Sequence, residues 1–217
     1  MDPAIITSVQ RGDNSDLMVA TAPLWYSPGK LVLDVTYGEG TWWAKWQPEP
    51  FAAHDLYTLD GVDFRKLPEA PNSVAHVIYD PPYASNGGRP TKTSVSRMRA
   101  KYGTLDDVKG WQQVFARNTR GLRECIRVVA PKGVVLVKCM DFVEGGRLRM
   151  GSTTMMAVAE HLGMRLQDYF VHETGLGPQP KFNLDGTTRK QCTSRRVHSY
   201  LLVFKKPARW ALVDHFA

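Results

Sequence analysis

Length, composition and charge restrict the class of protein. The chain has 217 residues, 43% of them hydrophobic, which suits one domain with a sizeable core. It has no apolar run of membrane-spanning length and no charged-then-apolar N-terminal signal pattern, so we expect a cytoplasmic protein with no membrane partner. Three scattered cysteines and six histidines without ligand spacing predict neither a disulfide framework nor a metal site, and the net charge is +7.

The first predicted strand ends in an acid and a glycine turn. Residues 31–41 read as a buried strand, then Asp34, then Gly38-x-Gly40, and a helix is predicted over 42–46. Such a turn lets the backbone approach a ligand closely. The third glycine of a dinucleotide fingerprint would fall at position 43, which is a tryptophan, so a pyrophosphate cofactor is disfavoured. The acid instead suits a ligand that carries an ammonium group.

A second short strand is predicted at 51–55. It ends at Asp55, 21 residues after Asp34, which is close to the spacing at which a strand-end carboxylate meets ribose hydroxyls. Asp60 competes for the same role, and we prefer Asp55.

The stretch Asp80-Pro81-Pro82-Tyr83 carries the strongest chemical signal. It follows 74–79, an apolar run that predicts a buried strand. Two prolines fix the backbone, remove two donors and leave carbonyls that accept hydrogen bonds. A carboxylate, a carbonyl and an aromatic face together suit a planar group that bears an –NH2, so we predict chemistry on an exocyclic amine. The alternative is a tight surface turn without function.

The remaining chain predicts the alternating elements of an open α/β sheet. The two final strands are joined by a long polar segment. The predicted elements are a helix from an N-cap at Thr104-Leu105-Asp106 to about 129, a break at 131–133, a strand at 134–138, a helix at 153–162 ended by Gly163, and strands at 166–172 and 198–204.

Two segments rich in Gly, Ser, Thr and Pro carry most of the excess positive charge. We predict a single domain over 1–217 with basic loop insertions at about 84–104 and 174–196. Cations there would neutralise phosphates and favour a nucleic-acid partner, although ordinary solvated loops are the alternative. The candidate nucleic-acid contacts are Arg89, Lys92, Arg97, Arg99 and Lys101 in the first loop and Arg189, Lys190, Arg195 and Arg196 in the second.

The order of the two turns resembles the amino-methyltransferase family, over roughly residues 14–206. These enzymes transfer a methyl group from S-adenosylmethionine to the exocyclic amine of adenine or cytosine. The resemblance implies a Rossmann-like class I methyltransferase fold, a seven-stranded mostly parallel sheet with an antiparallel C-terminal hairpin, and S-adenosylmethionine as cofactor. It implies catalytic roles for Asp80, Pro81, Pro82 and Tyr83 and cofactor contacts by Asp34, Thr36, Tyr37, Gly38, Gly40, Thr41, Asp55, Asp63, Phe64, Ser15 and Asp16.

The same resemblance implies individual cofactor contacts. Asp34 would accept from the amino group of the methionine end, and the segment around Ser15 and Asp16 would touch its carboxylate. Asp63 would face the adenine amine, and Phe64 would pack on the adenine ring.

The substrate stays open at this stage. An aspartate at position 80 favours adenine N6 over cytosine N4, and DNA is favoured over RNA. An RNA adenine methyltransferase and a non-catalytic methyltransferase-like subunit that binds nucleic acid remain alternatives. The length leaves no room for a separate target-recognition domain. Target recognition would then come from the basic loops, from a homodimer or partner subunit, or from RNA shape, unless the enzyme is promiscuous.

Overall fold

The computed structural model describes residues 5–83, 108, 110–173, 187, 193–194 and 196–209. Nine strands lie within these ranges, and seven of them form one sheet. In chain order they are β1 (Val9–Arg11), β2 (Val32–Asp34), β3 (Phe51–Ala53), β4 (Val74–Tyr79), β5 (Val129–Cys139), β6 (Phe142–Glu144), β7 (Arg147–Arg149), β8 (Arg165–Glu173) and β9 (His198–Lys205).

The large sheet has the strand order β1-β8-β9-β5-β4-β2-β3. Strand β9 runs antiparallel to both of its neighbours, β5 and β8, and every other pairing in this sheet is parallel. The predicted seven-stranded, mostly parallel sheet with an antiparallel C-terminal hairpin is therefore confirmed. The hairpin is not at the sheet edge, because β1 adds a parallel strand beside β8. Strands β6 and β7 form a separate two-stranded hairpin.

Within the described residues, three α-helices cover the sheet: α1 (Asn14–Trp25), α2 (Gly110–Val128) and α3 (Gly151–His161). A capping box starts α1, in which the side chains of Asp13 and Asp16 accept from each other's backbone N–H groups. Gly163, with a φ of +81°, follows the end of α3 as predicted. Within the described ranges no helix is both long and apolar enough to span a membrane.

Two predicted boundaries were wrong. The helix predicted over 42–46 is only a 3₁₀ turn at Thr41–Trp43. It cannot extend far, because Gln47 precedes a proline and is therefore disfavoured in the α conformation. Strand β5 begins directly after α2, five residues before the predicted start. The supposed break is an irregularity within the strand, where Lys132 has a φ of +66° and the register against β4 shifts.

The core has one layer on each face of the sheet. Helices α2 and α3 pack on one face, and α1 with the tryptophans of the 3₁₀ turn packs on the other. Along β4, Val77 and Tyr79 join the first layer, whereas Ile78 joins the second. Because both faces are covered, β4 reads as a continuous apolar run, and this is why it could be predicted.

Candidate active site

Parallel strands β2, β4 and β5 are neighbours, and their carboxyl ends lie at the same edge of the sheet. Asp34 is the last residue of β2, and Asp80 directly follows β4. Lys138 is the penultimate residue of β5, and Val137 before it pairs with Tyr79. Two carboxylates and one ammonium therefore lie where ligands bind in open α/β sheets.

The backbone of the Asp80–Tyr83 turn is held from two sides. The N–H of Asp80 donates to Thr36 Oγ1 at 2.8 Å, which ties the turn to the segment after β2. The carbonyl of Pro82 accepts from the Arg117 guanidinium and from Asn118 Nδ2 of α2 (3.2 Å for the amide). The Pro82 carbonyl is thus occupied by the helix, and the Pro81 carbonyl remains the acceptor that we predict for an amine.

The Asp80 carboxylate is partly buried and is held by two donors. Trp42 Nε1 donates to Oδ2 at 3.2 Å, and the hydroxyl of Tyr83 donates to Oδ1. Burial raises the pKa of Asp80, while the nearby Lys138 ammonium opposes that rise. Tyr83 therefore lies against the carboxylate in this structure, and its stacking on a base stays a prediction.

The Lys138 side chain is 3% exposed and has polar and aromatic contacts. Its Nζ lies 2.6 Å from Asn14 Oδ1 and 3.1 Å from His172 Nδ1. It also lies 5.2 Å from the centre of the Trp42 ring. A lysine-containing cluster therefore adjoins the Asp80 carboxylate, which the sequence did not predict.

The backbone N–H groups of both glycines in the glycine turn donate hydrogen bonds to protein oxygens. The N–H of Gly38 donates to Asp55 Oδ2, and the N–H of Gly40 donates to the Tyr37 carbonyl, both at 2.9 Å. Gly40 has a φ of +70°, and a side chain there would overlap the Tyr37 ring. Asp55 lies two residues after the end of β3. Its carboxylate also accepts from the N–H of Thr58, so it holds both the glycine turn and the segment that follows β3.

Asp34 is 2% exposed, and each of its oxygens accepts a hydrogen bond. Oδ1 accepts from the Thr36 N–H at 2.9 Å, and Oδ2 accepts from Trp43 Nε1 at 2.8 Å. Burial raises the pKa of Asp34 to about 7, and the nearby charges of Asp80 and Asp55 act in the same direction. The tryptophan at position 43, which breaks the dinucleotide pattern, thus has a role in holding the acid.

The predicted adenine contacts lie together and already have protein partners. Asp63 forms a two-pronged ion pair with Arg65, in which Nη2 and Oδ2 are 2.6 Å apart. The Phe64 ring meets the Tyr79 ring edge to face, with centroids 5.4 Å apart. Asp60, the alternative for the ribose, pairs instead with His54 at 2.6 Å.

Some of the other predicted contacts lie within the described residues, and the rest lie outside them. The hydroxyl of Ser15 accepts from the N–H of Lys45 at 2.8 Å, and Asp16 pairs with the Lys45 ammonium at 2.6 Å. Thr41 begins the 3₁₀ turn. Arg196 is half-buried. The predicted N-cap at 104–106 and the candidate contacts Arg89, Lys92, Arg97, Arg99, Lys101, Arg189, Lys190 and Arg195 lie outside the described residues.

The sequence matches no protein-family model and no curated protein. Solved structures do resemble it. The [4+2]-cyclase SpnF is 12% identical and has a TM-score of 0.55, with 90% of this chain and 81% of that chain covered. The N-methyltransferase NodS of Bradyrhizobium japonicum, in complex with S-adenosyl-L-homocysteine, is 10% identical and has a TM-score of 0.51, with 88% and 83% covered. The fold is that of a class I methyltransferase.

The class I methyltransferase fold does not by itself fix the reaction, because the two similar structures are a cyclase and an N-methyltransferase. A candidate DNA modification methylase of Thermus thermophilus is 16% identical and has a TM-score of 0.42. The match covers 69% of this chain and about half, 54%, of that one. The reaction of a chain with this fold depends on its own site residues.

Three residues at this sheet edge were not predicted as site residues from the sequence. Trp42 and Trp43 were expected to pack, and both are buried, but their indole N–H groups also bind Asp80 and Asp34. Lys138 lies near the end of an apolar strand, where a charged side chain is usually exposed to solvent. A charged residue within a run that is otherwise wholly apolar was the one signal that could have indicated it.

Proposed function

We propose that the chain is an S-adenosylmethionine-dependent methyltransferase that acts on the exocyclic amine of a nucleic-acid base. Adenine N6 in DNA is the preferred target, with cytosine N4 second. One observation carries the proposal: the Asp80 N–H binds Thr36 Oγ1, so the turn suited to an amine adjoins the segment between Asp34 and the glycine turn. The amine that accepts the methyl group and the S-adenosylmethionine that supplies it would then meet at one sheet edge.

The residues around the glycine turn fit S-adenosylmethionine better than a phosphate-bearing cofactor. Both glycine N–H groups of the turn donate within the protein, so neither is directed at a phosphate. The nearby side chains are instead carboxylates. Asp34 would accept from the ammonium, Asp55 from the ribose hydroxyls and Asp63 from the adenine amine, with Phe64 beside the ring. Ser15, Asp16, Thr36, Tyr37 and Thr41 complete the proposed cofactor contacts.

The proposed chemistry uses the Asp80–Tyr83 turn to orient a weak nucleophile. When bound, S-adenosylmethionine supplies an electrophilic methyl group on a positively charged sulfur. The lone pair of an exocyclic amine is delocalised into its ring. Hydrogen bonds from the amine to the Asp80 carboxylate and the Pro81 carbonyl would direct that lone pair towards the methyl group. Orientation of this kind can contribute effective molarities of about 10⁵ M.

In the proposed transfer, one bond breaks for each bond that forms, and Asp80 can accept the released proton. The amine nitrogen would form the new N–CH3 bond and release one N–H proton, and the methyl donor would keep the electron pair of its broken S–CH3 bond on sulfur. Asp80 is the nearest base in the proposed arrangement and would accept that proton or pass it to water. The substrate amine would first replace the Tyr83 hydroxyl on Oδ1. The Tyr83 ring would then be free to stack on the base, which leaves a duplex only by flipping out.

Positive charge supports nucleic acid over a free nucleotide as the substrate. The chain has a net charge of +7, and its two basic segments carry nine of the candidate contacts. The first segment begins directly after Tyr83, so cations there would meet the phosphates that flank the target base. DNA or RNA is decided by experiment, because both backbones carry the same charge.

The test is methyl transfer by wild type, by Asp80→Ala and by the control Glu160→Gln, which alters an exposed carboxylate on α3. We expect Asp80→Ala to lose transfer to nucleic acid while its affinity for S-adenosylmethionine stays within about threefold of wild type. We expect the control to keep both. Near-normal turnover by Asp80→Ala would contradict the proposed mechanism. If wild type binds the cofactor but transfers no methyl group, the non-catalytic subunit would replace the enzyme.

A further inference from the structure

The proposed mechanism needs Asp80 as a carboxylate, yet one feature of its surroundings favours the protonated acid. Burial raises its pKa. Asp34 and Asp55 are further carboxylates at the same sheet edge, and the charges of Asp80 and Asp55 both raise the pKa of Asp34. A protonated carboxyl would present a donor to the substrate amine, which also donates. A nearby cation would prevent this.

The hydrogen-bond partners of Lys138 suit its positively charged form. His172 Nε2 lies 3.0 Å from the Gly12 carbonyl, which can only accept, so Nε2 bears the proton. The other ring nitrogen, Nδ1, is then an acceptor for Lys138, as is the Asn14 side-chain oxygen. Two acceptors at 2.6 and 3.1 Å suit an ammonium, although burial lowers the pKa of Lys138.

Trp42 connects this cation to the carboxylate. Its ring centre lies 5.2 Å from Lys138 Nζ, and its Nε1 donates to Asp80 Oδ2 at 3.2 Å. An aromatic ring has a negative face and a positive edge. The indole therefore presents its face to the cation and its N–H edge to the anion, so both contacts are favourable at once. Among the described residues no direct ion pair joins Lys138 to Asp80, so the cation does not cover the oxygens that the substrate needs.

We propose that Lys138 is a positioning residue that keeps Asp80 ionised, acting across the indole ring of Trp42. The proposal rests on the proposed function and deepens it, since it names the group that makes the acceptor competent. Lys138 does not touch the substrate. Its effect is to favour the charged form of Asp80 against burial.

The charged and titratable groups around the pair are few in the described part of the chain. Strands β2 and β4 bring Asp34 and Asp80, the segment after β3 brings Asp55, and the turn brings the Tyr83 hydroxyl. Strand β8 brings His172 to Lys138. The start of α1 adds Asp13 and Asp16, whose charges act on His172. Lys45 pairs with Asp13 and Asp16, and the Arg117 guanidinium binds the Pro82 carbonyl, so Lys138 is the cation whose charge opposes the rise in the pKa of Asp80.

The test compares wild type with Lys138→Met, which keeps the length of the side chain and removes its charge. Carbon-13 NMR of the aspartate carboxyls, with Asp80→Asn to assign the signal, gives the titration midpoint of Asp80. We expect this midpoint to rise by about one pH unit or more in Lys138→Met, since a neighbouring opposite charge shifts a carboxyl by about one to three units. Lys205→Met, an exposed lysine of β9, should leave it unchanged.

Activity gives a second, independent test. On the acid side of the pH profile, kcat/KM of Lys138→Met should fall about tenfold for a one-unit shift and recover as the pH rises. A merely structural role would lower activity equally at every pH. If Lys138→Met does not fold, Lys138→Gln, which removes the charge and keeps an N–H donor near Asn14 Oδ1 and His172 Nδ1, should move the midpoint in the same direction.

An Asp80 midpoint that changes by less than about 0.3 units in the folded variant would overturn the proposal. The NMR measurement needs no methyl transfer. A wild-type chain that transfers nothing would therefore refute the proposed function while the role of Lys138 is still judged from the midpoint.

Discussion

Affinity for S-adenosylmethionine should depend on the ionisation of Asp34. The carboxyl is 2% exposed, and burial raises its pKa to about 7. If it receives the cofactor's ammonium, it must be ionised in the complex, because a protonated carboxyl forms no ion pair. Binding near neutral pH should then release a proton from Asp34, and affinity should increase as the pH rises towards 7.

The size of the effect follows from that pKa. With a value of about 7, the ionised fraction falls from about one half at pH 7 to about one hundredth at pH 5, so Kd should rise about fiftyfold. Above about pH 8 the cofactor's own α-amino group loses its proton, and affinity should fall again. The tightest binding is therefore expected between about pH 7 and 8.

Isothermal titration calorimetry from pH 5 to 9, in two buffers with different ionisation enthalpies, measures both Kd and the protons released. At pH 7 about half a proton should be released per cofactor bound. Asp34→Asn should bind more weakly and lose the rise below pH 7, whereas Glu160→Gln should reproduce wild type. A wild-type Kd that changes less than about threefold between pH 5 and 7 would refute the reasoning about Asp34.

Three further substitutions test the packing and the site. Gly121→Ala would place a methyl group 2.7 Å from the Tyr79 ring, so urea unfolding should show a loss of about 1–3 kcal/mol despite the better helix propensity of alanine. Lys206→Met removes a fully buried ammonium that donates to three oxygens, and should cost about 2–4 kcal/mol in the same assay. Tyr83→Phe removes the hydroxyl that covers Asp80, so kcat for methyl transfer should stay within about threefold of wild type.

The two stability predictions each have a matched comparison. Arg123→Ala on the exposed side of α2 and Lys205→Met beside the buried lysine should each change the unfolding free energy by less than about 0.5 kcal/mol. Equal stability of Gly121→Ala and wild type would mean that α2 does not pack tightly on β4. A complete loss of transfer in Tyr83→Phe would show that the hydroxyl takes part in the reaction.

Strands and turns with a local signal could be predicted from the sequence. Strand β4 is buried on both faces, so its apolar run and the following prolines marked both its extent and the exposed turn. The last two strands and the helix before Gly163 were also found within two residues at each end. Strand β1 is three residues long and mostly exposed, and it exists only because β8 pairs with it.

Features set by distant contacts could not be predicted. The glycine turn was followed by a predicted helix, because nothing local shows that Trp42 and Trp43 bind carboxylates on two different strands. Lys138 was placed in a predicted strand and was given no role. Its burial depends on Asn14 and His172, which are 124 and 34 residues away in the chain. Helix α1 contains Pro23 and has no clear apolar stripe, so its sequence gave little sign of a helix.

The proposed function requires this chain to methylate an exocyclic amine of a nucleic-acid base. The most direct measurement is nucleoside mass spectrometry of genomic DNA and of total RNA after incubation with labelled S-adenosylmethionine and the wild-type chain, with nuclease-treated samples alongside. We predict N6-methyladenine in DNA that is absent with Asp80→Ala. N4-methylcytosine would keep the mechanism and change the base, and label in RNA alone would change the substrate. Label on carbon or oxygen atoms, or on neither nucleic acid, would contradict the claim.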